Sequence, residues 1–164
     1  MFKNMFITPR AEHHNTRKKI KTLRSGISFE KSMGEPVIFI IDQNPIHGNM
    51  VKYQLCARRL TNVWLFTSVE ECLYRLRKQQ PDFLVTEYNL GAYNGGDLLR
   101  MARKISPRTA VLFFTSVDDG HTAEELLAEG ASDYIVKTAR LEKSIGELVK
   151  NMEFLRSETI PRQE

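Results

Sequence analysis

The chain has 164 residues, of which 41% are hydrophobic, 27% charged and 9% aromatic, the proportions of an ordinary soluble protein. Its longest apolar runs, such as residues 37–41, are far shorter than the roughly 20 residues of a membrane-spanning helix. No segment has the pattern of a secretory signal, and Cys56 and Cys72 lack the CxxC spacing of a redox or metal site. We therefore expect a cytoplasmic protein with no membrane span and with reduced cysteines.

The net charge of +4 is unevenly distributed along the chain. Residues 1–36 hold eight Lys or Arg and three Glu, whereas the rest of the chain holds 16 basic and 17 acidic side chains. The N-terminal segment has few apolar residues, so a disordered, basic tail is predicted there, with an arm that docks on an acidic partner, RNA or anionic lipid as the alternative. Because the rest of the chain has no excess of positive charge, nucleic-acid binding by that part is not expected.

From residue 37 onward, five apolar runs alternate with amphipathic segments. The runs are nearly continuous and rich in Val, Ile and Phe, which is typical of strands that are covered on both faces. They span residues 37–41, 63–67, 83–86, 110–115 and 134–136.

The segments between these runs, and the one after the last run, have apolar residues at helical spacing. Asn44-Pro45 opens the first of them, with a capping residue before a proline. The buried stripe of this first helix is predicted to consist of Ile46, Met50, Tyr53, Ala57 and Leu60. Short connections and right-handed crossovers then give an α/β fold of five βα units, with helices on both faces of a parallel sheet. The folded domain is predicted at residues 37–156, followed by a C-terminal tail at 157–164.

Polar side chains follow four of the predicted strands where each strand ends. Ligands of open α/β sheets bind at this edge. The residues are Asp42 and Gln43 after strand 1, Glu87 and Asn89 after strand 3, Thr115 and Ser116 at strand 4, and Lys137 after strand 5. Carboxylates suit a hydrated cation, while a hydroxyl and an ammonium group suit phosphate oxygens, so we predict a site for a phosphoryl group or for Mg²⁺.

Five motifs in order make residues 37–156 resemble the receiver domain of two-component response regulators. They are residues 40–45 (IIDQNP), 81–90 (PDFLVTEYNL), Gly95-Gly96, 113–116 (FFTS) and 130–137 (GASDYIVK). The resemblance implies a flavodoxin-like, doubly wound sheet of strand order 2-1-3-4-5. It also implies a phosphoacceptor at position 87 and a switch formed by Thr115, Tyr134 and Lys137.

Three residues depart from the pattern of that family. Glu87 stands where the family has the aspartate that is phosphorylated, and its extra methylene moves the carboxylate by about 1.3 Å, given a carbon–carbon bond of ~1.5 Å. Gln43 replaces a carboxylate that ligates Mg²⁺, which leaves at most a weak Mg²⁺ site formed by Asp42, Glu87 and Asn89. Thr138 replaces the proline that follows the lysine.

The resemblance therefore implies a signalling protein that is not an enzyme. Glu87 acts either as a permanent partial mimic of a phosphoryl group or as a phosphoacceptor for a histidine kinase. Only eight residues follow Arg156, so output is expected through a downstream effector protein or through a homodimer formed by helix 4, strand 5 and helix 5. Two other classes stay open: a small flavodoxin-like ligand-binding protein or enzyme, and a scaffold or nucleic-acid adaptor that acts through the basic tail.

Overall fold

The computed structural model describes residues 34–158 of the chain. The N-terminal tail predicted at 1–36 lies outside the described residues except for 34–36, and the C-terminal tail predicted at 157–164 lies outside them except for 157–158. In chain order the elements are β1 (Ile38–Ile41), α1 (Pro45–Ala57), β2 (Val63–Phe66), α2 (Val69–Lys78), β3 (Phe83–Thr86), β4 (Asn89–Leu90), β5 (Tyr93–Asn94), α3 (Gly95–Ile105), β6 (Ala110–Thr115), α4 (Gly120–Ala128), β7 (Asp133–Val136) and α5 (Leu141–Glu158).

The five long strands form one parallel sheet in the order β2-β1-β3-β6-β7. Since β6 and β7 are the fourth and fifth strands of this sheet, the predicted strand order 2-1-3-4-5 is confirmed. Every residue of β1 and β3 is buried, because α1 packs beside α5 and α2 beside α3, and the two helix pairs cover opposite faces of the sheet. This double cover explains why the central strands are continuous apolar runs rather than alternating patterns.

A short antiparallel hairpin interrupts the predicted connection between β3 and α3. Its strands β4 and β5 pair Asn89 with Asn94 and Leu90 with Tyr93. Gly91 sits in the turn with φ +69°, a left-handed conformation that glycine adopts without strain. The sequence pattern did not predict the hairpin, because two-residue strands are too short to show an alternation.

The prediction for the buried face of α1 is wrong for four of its five residues. Ile46, Met50 and Tyr53 are 69%, 47% and 72% exposed, and Ala57 is exposed as well. Leu60 is buried as predicted but lies beyond the end of the helix, whose buried residues are Gly48, Val51 and Leu55. Contact with Leu65 of β2 explains why this face of the helix is buried. A Cβ on Gly48 would come within 2.5 Å of the Leu65 side chain. The helix therefore approaches the sheet closely on its glycine side, and the richer apolar stripe faces outward.

No helix within residues 34–158 is long and apolar enough to cross a membrane.

Candidate functional site

Four side chains meet at the carboxyl edge of the sheet. Asp42 follows β1, Glu87 follows β3, Thr115 is the last residue of β6, and Lys137 follows β7. Parallel pairing of β1 with β3, β3 with β6 and β6 with β7 brings these chain positions to the same edge. The predicted convergence of polar groups from separate strand ends therefore exists in the structure.

Lys137 joins the two carboxylates of this cluster. Its Nζ donates to Glu87 Oε2 at 2.9 Å and to Asp42 Oδ2 at 3.1 Å. The three side chains are only 13%, 10% and 7% exposed, so the ion pairs are shielded from solvent and are screened less than surface pairs. One ammonium group thus bridges two buried carboxylates, and the three side chains together carry a formal charge of −1.

Glu87 also accepts hydrogen bonds from three further groups. Thr115 Oγ1 donates to Oε1, the Tyr88 N–H donates to the same oxygen at 2.7 Å, and the Ser116 N–H reaches Oε2 at 3.3 Å. With Lys137, the carboxylate has four donors, which is the environment expected for a group held in its charged form. Two of these donors are backbone N–H groups, which sequence reasoning did not identify because every residue carries one.

The pKa of the Glu87 carboxyl reflects this set of contacts. Burial acts to raise the pKa, but the hydrogen bonds from Thr115 and Lys137 and the positive charge of Lys137 together outweigh burial, so the pKa lies below its ordinary value of 4.5. Glu87 is therefore a carboxylate at neutral pH.

Little space is left among these side chains. The cavity between Asp42, Glu87, Lys137 and the neighbouring apolar side chains measures about 10 Å³, and one water molecule needs roughly 10–15 Å³ by the same kind of measure. The side chains themselves fill the hollow at the strand ends.

A chain of hydrogen bonds leads from Glu87 to the aromatic residue of the predicted switch. Thr115 Oγ1, which donates to Glu87, accepts from the Val117 N–H at 3.1 Å, and the Val117 carbonyl accepts from the Tyr134 hydroxyl at 2.7 Å. Tyr134 is 7% exposed and stacks on Phe113 with ring centroids 5.8 Å apart. The tyrosine therefore points inward. Burial, followed by the charge of Glu87, raises its pKa to about 12.

The residues predicted to hold Mg²⁺, which are Asp42, Glu87 and Asn89, are not all part of the buried cluster around Lys137. Asp42 Oδ1 accepts from the Asn44 N–H at 2.9 Å while Oδ2 faces Lys137. Gln43 turns away and donates to the Leu90 carbonyl, and Asn89 is exposed in β4. Within residues 34–158, no three His, Cys, Asp or Glu side chains are grouped so as to hold a metal ion. Lys137 contacts both carboxylates of the predicted site, and the Gln43 amide is bonded elsewhere.

Thr138 donates a backbone hydrogen bond that a proline, which has no N–H, could not make. Its backbone N–H donates to Ser144 Oγ at 3.0 Å, and its hydroxyl lies 2.9 Å from the same oxygen. Ser144 is a buried residue of α5. These contacts tie the segment after Lys137 to the last helix.

Two curated proteins show what the chain is similar to. It is 29% identical over 121 residues to the transcriptional regulatory protein TrcR of Mycobacterium tuberculosis, which covers 73% of this chain and 47% of that protein. It is 34% identical over 74 residues to the two-component response regulator PhoP of Pseudomonas aeruginosa, which covers 45% of this chain and 33% of that protein. The chain spans about half the length of the two Mycobacterium relatives that it matches.

Solved structures share the fold. A response regulator from Burkholderia pseudomallei, crystallised with a phosphorylated aspartic acid, a calcium ion and citrate, superposes with a TM-score of 0.62 at 23% identity, over 75% of this chain and 72% of that one. A response regulator receiver domain protein from Clostridium thermocellum gives a TM-score of 0.60 at 26% identity, over 73% and 98%.

The sheet order, the residues at the strand ends and these relatives agree with one another. The family model of the response regulator receiver domain matches residues 38–149. The chain belongs to the family of response regulator receiver domains of two-component signalling systems.

Proposed function

We propose that this receiver domain signals without phosphoryl transfer and that Glu87 serves as a permanent partial mimic of the phosphorylated aspartate. The observation that carries the proposal is that the Glu87 carboxylate already accepts from Thr115 and Lys137. By resemblance to the family, these two side chains are the ones that sense a phosphoryl group at position 87. The longer side chain of glutamate supports this role, because it extends the carboxylate toward them.

The inward position of Tyr134 supports the same role. The hydrogen bonds from Glu87 through Thr115 and Val117 to the tyrosine hydroxyl form one continuous path. A carboxylate carries a charge of −1, compared with about −1.5 to −2 for a phosphoryl group at neutral pH. Glu87 would therefore bias the switch toward its inward state by contacts that the outward state lacks.

The cation side of the pocket supports independence from Mg²⁺. Gln43 contributes no negative charge, and the Lys137 ammonium group lies against both Asp42 and Glu87. We therefore propose that divalent cations bind this pocket weakly at most, and that the protein acts by contact with another protein rather than as an enzyme.

The partner surface is also part of the proposal. The resemblance implies that α4, β7 and α5 contact a downstream effector or a second copy of the chain. Leu127 of α4 is 44% exposed, and Tyr134 of β7 links this face to the pocket. Sedimentation velocity tests the homodimer. If the face joins two copies of the chain, association that Leu127→Glu abolishes is expected, whereas a monomer at every concentration rules out the homodimer and leaves an effector protein as the partner.

Phosphotransfer tests the central claim. Wild-type protein and Glu87→Ala are incubated with Mg²⁺ and either radiolabelled acetyl phosphate or an autophosphorylated histidine kinase, with a receiver that carries the usual aspartate as the positive control. We expect no stable label on either chain. Label on the wild type that is lost in Glu87→Ala would overturn the proposal and establish Glu87 as a phosphoacceptor.

A double variant tests whether the pocket keeps receiver geometry. Glu87→Asp shortens the carboxylate and Gln43→Asp restores the second acidic residue, so the pair is expected to gain both Mg²⁺ binding and phosphorylation. Isothermal titration with MgCl₂ and the same labelling assay measure the two gains. If the double variant shows neither gain, the pocket does not work as a receiver site.

A further inference from the structure

Gln43 contacts a part of the chain that lies 47 residues away. It follows Asp42 at the end of β1, and its Nε2 donates to the Leu90 carbonyl at 2.7 Å. Leu90 is fully buried in β4, so the bond ties the end of a central strand to the short hairpin. The Gln43 side chain is thus directed to the hairpin rather than to the neighbouring carboxylates.

Gly91 gives a second, independent sign of this contact. A Cβ at this position would lie 2.6 Å from Gln43 Nε2 and 2.7 Å from Oε1. Its φ of +69° also favours glycine. The Gln43 amide therefore rests directly on the backbone of the hairpin turn, in a place that only glycine leaves open.

The hairpin is joined closely to Glu87. Tyr88 is the residue between Glu87 and β4, and its N–H donates to Glu87 Oε1 at 2.7 Å. The Tyr88 carbonyl accepts from the Gly95 N–H, also at 2.7 Å, where α3 begins after the hairpin. The segment from Tyr88 to Gly95 is therefore closed at its base and held at its tip by Gln43.

We propose that Gln43 is a positioning residue that fixes the β4–β5 hairpin, and with it the backbone N–H of Tyr88 that holds the Glu87 carboxylate. The role requires a hydrogen-bond donor at the end of a side chain that is long enough to reach the Leu90 carbonyl. A carboxylate cannot take the role, because it has no N–H to donate to the Leu90 carbonyl and would repel it. The inference depends on these contacts alone and holds whether or not Glu87 is phosphorylated.

Hydrogen exchange of the full-length chain tests the role. Gln43→Glu keeps the size of the side chain and removes the donor, while Gln43→Lys changes the charge and keeps a donor. We expect Gln43→Glu to speed exchange of the amides at residues 88–95 by about three- to tenfold, the effect of losing one hydrogen bond. Gln43→Lys should stay within about twofold of the wild type.

Two further measurements separate positioning from general loss of stability. Gln80→Glu is the matched control, since Gln80 is exposed, and it should leave exchange at residues 88–95 unchanged. The amide proton shift of Tyr88 should move in Gln43→Glu and return in Gln43→Lys, because it reports the hydrogen bond to Glu87. Wild-type exchange at the hairpin in Gln43→Glu, or a rise spread evenly over the whole domain, would overturn the inference.

Discussion

The two sides of the pocket use their polar groups in different ways. On the side formed by β3, β6 and β7, the Glu87 carboxylate accepts from Thr115, Ser116 and Lys137. On the β1 side, Asp42 is shared between Lys137 and a backbone N–H, and Gln43 is bonded to the hairpin. The first side keeps the donors that bind an anion, whereas the second presents no uncommitted carboxylate to a cation.

Gln43 and Glu87 both contribute to this difference. With glutamine at 43 the cluster has two carboxylates, and the single ammonium of Lys137 contacts both of them. With glutamate at 87 the carboxylate reaches the anion-binding donors without a phosphoryl group. The three side chains therefore carry a formal charge of −1 and are held together by the contacts of Lys137. The variants Lys137→Met, Glu87→Gln and Tyr134→Phe each remove one group on which the arrangement depends.

Removal of the shared ammonium should have the largest effect. Lys137→Met leaves Asp42 and Glu87 buried and unpaired, and loss of one partner of a buried ion pair costs about 3–5 kcal/mol. Urea denaturation at pH 7 should show a loss of this size. Exposed Lys143 provides the control, since Lys143→Met should change stability by no more than about 0.5 kcal/mol. Equal stability of the two variants would show that the buried ion pairs do not stabilise the fold.

The next largest effect is expected in the pH dependence of folding stability, to which Glu87 contributes. The folded pKa of Glu87 lies below its ordinary value of 4.5, so the unfolded chain takes up a proton first as the pH falls. The stabilisation from Glu87 is therefore present above about pH 4.5 and is lost as the pH falls through the folded pKa. Glu87→Gln removes this titration.

Urea denaturation between pH 7 and pH 3 measures the effect of Glu87. We expect the stability of the wild type to fall more steeply below pH 5 than that of Glu87→Gln, although the variant is the less stable protein at pH 7. Glu70→Gln is a suitable comparison, because Glu70 is a surface residue with a lowered pKa outside the pocket. Parallel pH profiles of the wild type and Glu87→Gln would contradict the assignment of Glu87 as a carboxylate held by its donors.

The sheet and the meeting of the strand-end residues could be predicted from the sequence for one physical reason. Strands covered on both faces must be apolar along their whole length, so the polar residue that ends each run stands out, as Asp42 and Lys137 do. Parallel connection then places all such residues at one edge. The position of the pocket thus followed from where apolar runs end.

The face of α1 and the direction of Gln43 could not be predicted in the same way. Gly48 has no side chain to add to an apolar stripe, yet its small size lets the helix approach Leu65. Gln43 lies at the surface, where its amide could bond to many backbone carbonyls, and its choice of Leu90 depends on a hairpin too short to leave a pattern. Both features depend on close approach between distant segments, which residue periodicity does not report.

The smallest predicted effect concerns the link between the pocket and Tyr134. Tyr134→Phe removes the hydroxyl that donates to the Val117 carbonyl and should cost about 0.5–1.5 kcal/mol, the net value of one hydrogen bond. Exposed Tyr74 provides the control, because Tyr74→Phe should be nearly neutral. If the path from Glu87 to Tyr134 is continuous, the double variant Glu87→Gln/Tyr134→Phe should depart from additivity, by at least about 0.5 kcal/mol.

An ultraviolet titration of Tyr134 tests the same link from the other direction. Burial and the negative charge of Glu87 raise the pKa of Tyr134 to about 12. Glu87→Gln removes the charge and leaves the burial, so the pKa should fall toward, but not reach, its ordinary value of 10.0. The Tyr134→Phe spectrum identifies which transition belongs to this residue. An unchanged Tyr134 pKa in Glu87→Gln, together with additive stabilities, would mean that the tyrosine is held inward by burial alone and does not sense the carboxylate.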